Sequence, residues 1–299
     1  MRMFSSQKVA LLILLTVLVI GLGLFGVVSS GASEPSSGIK INAVSDQSFP
    51  LNQSAAQPPQ EQSRKKFAVV IGIVYDNYDL GLVDFADRDA VSVYNLLIQK
   101  MGFPAQNVIL LRNSEATNAN INNALSWLVN NPEIDSSSDV VFYYSGHGLR
   151  NEATGVFSNP ALAAGYALVP FDFKIFDYKS GQGLFTDSYF ADIFSRINSA
   201  RMWFTVDSCF SGGFNRPGIN GPNRVVTLSS QWNELSSEIK EAGKGVFTQY
   251  LVEEGMARGL SVEQAFMAAA PRASGGHGQN PLIVDNYPGS LDFSPPAND

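Results

Sequence analysis

The sequence predicts an α/β fold, a mostly parallel central sheet flanked by helices on both faces. Two observations lead there. From about residue 66 onward, apolar runs rich in β-branched residues alternate with segments of helical spacing. The apolar runs are continuous rather than alternating, as strands covered on both faces must be, and the helical segments between them are about ten residues or longer, enough to cross over between parallel strands.

The elements follow in order. Residues 67–74 (FAVVIGIV) read as a fully buried first strand. Residues 87–100 place Val91, Tyr94, Leu97 and Ile98 on one helical face, and Gly102 stops that helix. A short strand is expected over 107–111. Thr117 is a cap for a helix to about 130 that turns Ile121, Leu125 and Leu128 inward. Residues 139–144 (DVVFYY) form the next strand, and 165–169 a short extra one. Residues 187–198 are helical, with Tyr189, Phe190, Ile193 and Ile197 on one side. Strands follow at 201–206 (RMWFTV) and 224–228, then a helix over 245–254. Ser261-Val-Glu-Gln264 is a capping box that opens another helix, and 281–284 reads as a last strand.

The amino terminus reads differently. Arg2 and Lys8 precede an uncharged apolar run over 9–28, long enough to span a bilayer. Basic residues before it keep residues 1–8 in the cytoplasm and send the remainder out. Two readings stand: a transmembrane anchor, or a signal sequence cleaved after Ala32. The first gives a membrane-anchored protein with its folded domain outside the cytoplasm, the second a secreted one. Residues 29–64, rich in Ser, Gln, Pro and Ala, read as a flexible linker.

Composition narrows the function. Apolar residues make up 45% of the 299, which supports a sizeable core, and the net charge of −7 argues against nucleic acid as a partner. One cysteine allows no internal disulfide, and one Cys with two His at no ligand spacing provides no zinc site. No cofactor is expected.

Chemistry concentrates at two strand ends. His147 stands in Ser-Gly-His-Gly just past the 139–144 strand, and Cys209 in Asp-Ser-Cys-Phe-Ser-Gly-Gly just past the 201–206 strand. Ligands of open α/β sheets bind at the carboxyl ends of strands. A free thiol is mostly protonated at neutral pH, and an imidazole beside it takes the proton and later returns it to a leaving amine. Main-chain N–H groups of Gly148 and Cys209 are candidates to hold a developing oxyanion. His277, in a Ser/Gly stretch after Pro271 with no strand leading into it, is the weaker candidate base. No GxSxG elbow is present, and the Cys209-to-Arg216 spacing does not fit a Cys-x5-Arg phosphate loop.

The motifs YYSGHG at 143–148 and DSCFSGG at 207–213 resemble the His and Cys motifs of metacaspases within the caspase-like cysteine peptidases. KFAVVIGI at 66–73, FADRDA at 85–90, ALVPFDF at 167–173 and GKGVFTQYL at 243–251 extend the likeness. The resemblance implies a caspase-type fold over a peptidase domain at 65–290, with 291–299 as a tail. It implies hydrolysis of peptide bonds in peptide or protein substrates by a His147–Cys209 dyad. It also implies a primary pocket formed by Asp89, Ser145 and Asp207, which match the family's pattern for Arg or Lys before the scissile bond. The plain alternatives are a first-turn helix carboxylate for Asp89 and a turn residue for Asp207. Phe210 stands where metacaspases commonly have His. Of the family's calcium ligands, an acidic pair falls on Asp187 and Ser188, and another acidic position falls on Arg216, so no metal site is expected.

An active endopeptidase is the first reading. A membrane-tethered binding module that uses the same groove without turnover is the alternative; a redox role lacks a resolving cysteine. If the enzyme is specific for basic residues, it has two candidate self-cleavage regions at exposed basic positions: Arg64-Lys65-Lys66 at the end of the linker, and the loop between Arg216 and Arg224.

Overall fold

The first apolar run has no polar face, so it needs cover on both sides. In the computed structural model it is strand β1 (Lys66–Gly72), buried from Phe67 to its end. Residues 64–76, 82–151, 165–174, 183–199 and 201–295 are described. The apolar run at 9–28 and nearly all of the 29–64 linker lie outside them. Among the described residues no helix is long and apolar enough to cross a membrane.

After β1 come α1 (Ala86–Gln99), β2 (Val108–Arg112), α2 (Asn118–Asn130), β3 (Asp139–Ser145), β4 (Gly148–Arg150), β5 (Tyr166–Leu168) and β6 (Phe185–Thr186). Then follow α3 (Asp187–Ser195), β7 (Arg201–Asp207), β8 (Arg224–Leu228), β9 (Glu238–Ile239), β10 (Lys244–Gly245), α4 (Val246–Thr248), α5 (Val262–His277) and β11 (Leu282–Asp285). The main sheet runs β11-β8-β7-β3-β1-β2. Its neighbours are parallel, except that β11 pairs antiparallel with β8. Strands β4, β5 and β6 form a small antiparallel sheet, and β9 with β10 a hairpin.

Alternate residues of each strand feed two cores. Phe67, Val69, Ile71, Phe142 and Phe204 face α2 and α3, where Phe142, Phe190, Phe194 and Phe204 pack with ring centroids 5.0–6.1 Å apart. Ala68, Val70, Val141 and Trp203 face α1, α4 and α5. The result is three layers, with the sheet in the middle.

The sequence expectations hold in kind and shift in detail. Thr117 caps α2, and the Ser261–Gln264 capping box is present with both of its bonds. The inward stripe of α1 is Ala90, Val93 and Leu97; Tyr94 and Ile98 pack at its rim and Val91 is half-buried. The 245–254 segment is the short α4 continued by a π-helix over Gln249–Glu253. The stretch around His277 is not a loop: α5 runs through Pro271 to His277. Pro271 is exposed, so water can satisfy the carbonyl its missing N–H leaves behind. Leu291 and Phe293, in the stretch read as a tail, are fully buried in the second core.

The two ends of the sheet differ in chemistry. At the amino end of β3 and β7, Arg201 makes two parallel bonds to buried Asp139, at 2.8 and 2.6 Å. The carboxyl end carries the site.

Candidate active site

Ser145 and Asp207 are register partners at the ends of β3 and β7. Each strand then continues two residues, to His147 and Cys209. Equal offsets from paired strand ends bring imidazole and thiol to one edge, where both line the same pocket. Gly146 N–H donates to the Asp207 carbonyl at 3.3 Å, tying the two turns together. A Cβ on Gly148 would overlap the Cys209 carbonyl, so only glycine lets the motifs approach this closely.

His147 is buried, and two tyrosines hold its backbone. Its N–H donates to Tyr75 Oη at 3.1 Å, and Tyr144 Oη donates to its carbonyl at 2.9 Å. The Tyr75 ring lies 4.6 Å from the imidazole, centroid to centroid. Tyr75 Oη also donates to the Val169 carbonyl at 2.7 Å. Burial raises both phenols well above their usual range, so they remain neutral donors.

Cys209 is partly accessible, and Phe210 after it adopts a left-handed conformation at φ 59°. A bulky residue rarely takes that shape, so the turn presenting the thiol is strained and held by Phe210 N–H donating to the Glu234 carbonyl at 2.7 Å. Burial pushes the thiol up to about 11, opposed by the Ser236 N–H that donates to Sγ at 3.4 Å. The nearby Asp207 charge pushes it up further. Such a thiol is protonated at rest and needs a base.

The three residues matched to a primary pocket do come together. Asp89, Ser145 and Asp207 line the pocket beside His147 and Cys209. Ser145 Oγ donates to Asp89 at 3.1 Å, and Gly245 N–H donates to the same carboxylate at 3.1 Å. Thr248 donates to Asp207 from both its hydroxyl, at 2.8 Å, and its N–H, at 3.1 Å. Burial and the Asp207 charge hold Asp89 well above the usual carboxylate range, against the Gly245 N–H and Lys244. Burial raises Asp207 too, against the Thr248 and Ser236 donors.

Sequence reasoning passed over Tyr75, Ser236, Glu238, Gly245 and Thr248. Glu238 also lines the pocket and accepts the N–H groups of Asp84 and Phe85. Leu82 and Leu235, 68% and 51% exposed, give its mouth an apolar rim. The 229–237 stretch reads as an ordinary polar loop, and nothing in it marks a contact with Cys209. His277 does not line the pocket; its ring faces Tyr250 Oη at 3.2 Å.

The positions matched to a calcium site do not fit a cation. The Arg216 guanidinium pairs with Asp187 and lies 3.2 Å from Ser188 Oγ. The carboxylate a metal would use is already paired with a guanidinium, so these three positions carry no net negative charge for a cation. Among the described residues no group of three or more His, Cys, Asp or Glu is placed to hold a metal. Arg224, expected as an exposed cleavage position, is instead buried. It donates to the carbonyls of Gly218, Ile219, Phe194 and Ile197 at 2.5–3.1 Å. Its desolvation lowers it to about 10.

Residues 65–215 match the family model for the metacaspase, peptidase C14 domain. The chain is similar to metacaspase-3 of Arabidopsis thaliana, 31% identical over 157 residues, 50% of this chain and 40% of that protein. Metacaspase-9 of the same plant is 26% identical over 198 residues, 64% of this chain and 56% of that one. The chain thus spans about half the length of the curated relatives it matches. A crystal structure of a Geobacter sulfurreducens protein, 17% identical, covers 78% of this chain and 96% of its own with a TM-score of 0.54, a likeness of fold alone. The family model alone spans half of the chain and takes in both strand-end motifs, and this protein belongs to the metacaspase family.

Proposed function

We propose that the chain is a cysteine endopeptidase that cleaves after Arg or Lys, with Cys209 as nucleophile and His147 as its base. The observation that carries this reading is the β3–β7 register, which pairs Ser145 with Asp207 two residues before His147 and Cys209, in a pocket that all four residues and Asp89 line. His147 takes the thiol proton as sulfur attacks the scissile carbonyl carbon and a C–S bond forms. The carbonyl electrons move to oxygen, where the N–H groups of Gly148 and Cys209 are the assigned donors. The intermediate collapses, the C–N bond breaks, and the amine leaves with the proton from His147. Water, deprotonated by the same imidazole, then hydrolyses the thioester.

Specificity follows from charge. Two buried carboxylates raised by burial hold unmet attraction for a cation, and a guanidinium or ammonium entering the pocket neutralises them. An acidic side chain there adds a further carboxylate to that pair and is repelled.

The test is a panel of short fluorogenic peptides differing only before the scissile bond. Arg and Lys peptides are expected to be cleaved at least about a hundredfold better than Asp peptides. Cys209→Ala and His147→Ala are each expected to lose at least about a thousandfold, while His277→Ala stays within about twofold. Equal cleavage of Arg and Asp peptides removes the pocket reading; activity lost in His277→Ala but kept in His147→Ala removes the dyad.

A further inference from the structure

The loop 229–237 returns over the nucleophile, and one residue in it touches both functional centres. Ser236 donates its main-chain N–H to Cys209 Sγ at 3.4 Å and its hydroxyl to Asp207 Oδ1 at 2.9 Å. The Ser236 hydroxyl is the donor of that bond, and the carboxyl oxygen accepts. Ser229 Oγ lies 2.9 Å from the same hydroxyl and donates to the Ser208 carbonyl at 3.1 Å, joining the loop to the turn that carries the thiol. The loop is anchored beyond this point by Ser237 N–H, which donates to Gln279 at 2.9 Å.

We propose that Ser236 is a positioning residue that couples the carboxylate pocket to the thiol: its hydroxyl, held by Asp207, keeps its N–H on Cys209 Sγ and makes the reactivity of the sulfur depend on what occupies the pocket. Only the second half of this statement rests on the basic-side-chain reading above.

The physics is a balance at one atom. An N–H aimed at sulfur favours thiolate, whereas burial and the Asp207 charge favour thiol. In the free enzyme the thiol side wins. A cation in the pocket cancels the Asp207 charge and leaves the N–H where it is. The thiolate then gains at the moment a basic side chain is bound, and an empty enzyme carries an unreactive thiol. Other groups face the same sulfur or its carboxylate. Glu238 on β9 opposes the thiolate, Tyr144 and His147 stand on the β3 side, and Tyr143, Asp89 and Lys244 surround the pocket floor. All of them are retained in Ser236→Ala, so a difference from the parent reports the serine.

Cys209 is the sole cysteine of the sequence, so iodoacetamide followed by intact-mass measurement on the full chain reads this thiol alone. Ser236→Ala is expected to move the midpoint of the pH–rate profile up by about half a unit to one unit. It is expected to lower kcat on an Arg peptide several-fold with KM little changed, and Ser236→Thr to restore the parent profile. Agmatine, a guanidinium with no scissile bond, is expected to speed alkylation of the parent about three- to tenfold below the midpoint, and to speed that of Ser236→Ala less. A Ser236→Ala profile superimposed on the parent's overturns the positioning role. Protection by agmatine, or no effect at concentrations that inhibit peptide cleavage, overturns the coupling. Agmatine that fails to inhibit cleavage at all removes the basic-pocket reading instead, and the Ser236→Ala profile without agmatine then decides the positioning role by itself.

Discussion

Asp89 and Asp207 share one pocket, and two buried carboxylates cannot both ionise there without cost. A carboxyl whose pKa is raised by folding contributes stability that is complete below its unfolded value near about 4 and is lost as pH rises through the folded value. The pair therefore weakens the fold as pH rises above that range. Asp207→Asn is expected to raise the melting temperature at pH 7, to lessen the fall in thermal stability as pH rises above about 4, and to abolish the preference for basic peptides. Melting curves across pH check this; a variant less stable than the parent at every pH contradicts it. At this scale the sequence was legible where a residue sat in a short motif at a strand end, as His147, Ser145, Asp207 and Cys209 do. It was silent on Tyr75 and Ser236, which reach the site from 72 and 27 residues away.

At the scale of elements, the β3–β7 pair was readable because both strands are apolar runs that end in small residues. The register that sets Ser145 opposite Asp207 was not, since any shift would also have kept the runs buried. The loop after Cys209 shows the same division. Ser188 and Arg216 stood out in the sequence as departures from a calcium-binding set, but the ion pair of Arg216 with Asp187 belongs to the fold. Asp187 also accepts the Tyr166 N–H at 3.1 Å, so this carboxylate joins β5, the start of α3 and the loop after β7. The guanidinium does the neutralising work a cation would do there. Activity on Arg peptides is expected to change less than about twofold on chelation of divalent cations. Arg216→Ala is expected to lose about tenfold, with no recovery on adding calcium. A chelator-sensitive parent restored by calcium would show a cation site built from other carboxylates.

For the whole molecule, the described residues fall within one of the two units into which the chain divides, Pro58–Asp299. We propose that the enzyme trims itself at the edge of that unit rather than inside it. Arg224 is buried under four carbonyl acceptors and Arg216 is paired, so the 216–224 loop offers no extended basic segment. Lys65 is exposed, whereas Lys66 already belongs to β1 and its Nζ donates to the carbonyls of Met101 and Phe293 at 2.6 Å. Incubated protein is expected to yield new amino termini at residues 65 or 66, absent from a Cys209→Ala control. Amino-terminal sequencing checks this; termini between 217 and 225, or none in protein that still cleaves peptide, reject it.

The sequence by itself determined the layered α/β class, the order of the main-sheet strands and of the helices, the two strand-end motifs and the family they belong to, but not the short strands β4, β6, β9 and β10. These follow from hydrophobic period, caps and short contiguous patterns, which act over a few residues. Only the tertiary structure decided that α5 continues through Pro271, that Arg224 is inside, and that Arg216 neutralises Asp187. It alone brought a serine from a polar loop onto the Cys209 sulfur. Those outcomes depend on which surfaces meet across the sheet edge and on how much water each charge keeps, and no local run of sequence encodes either.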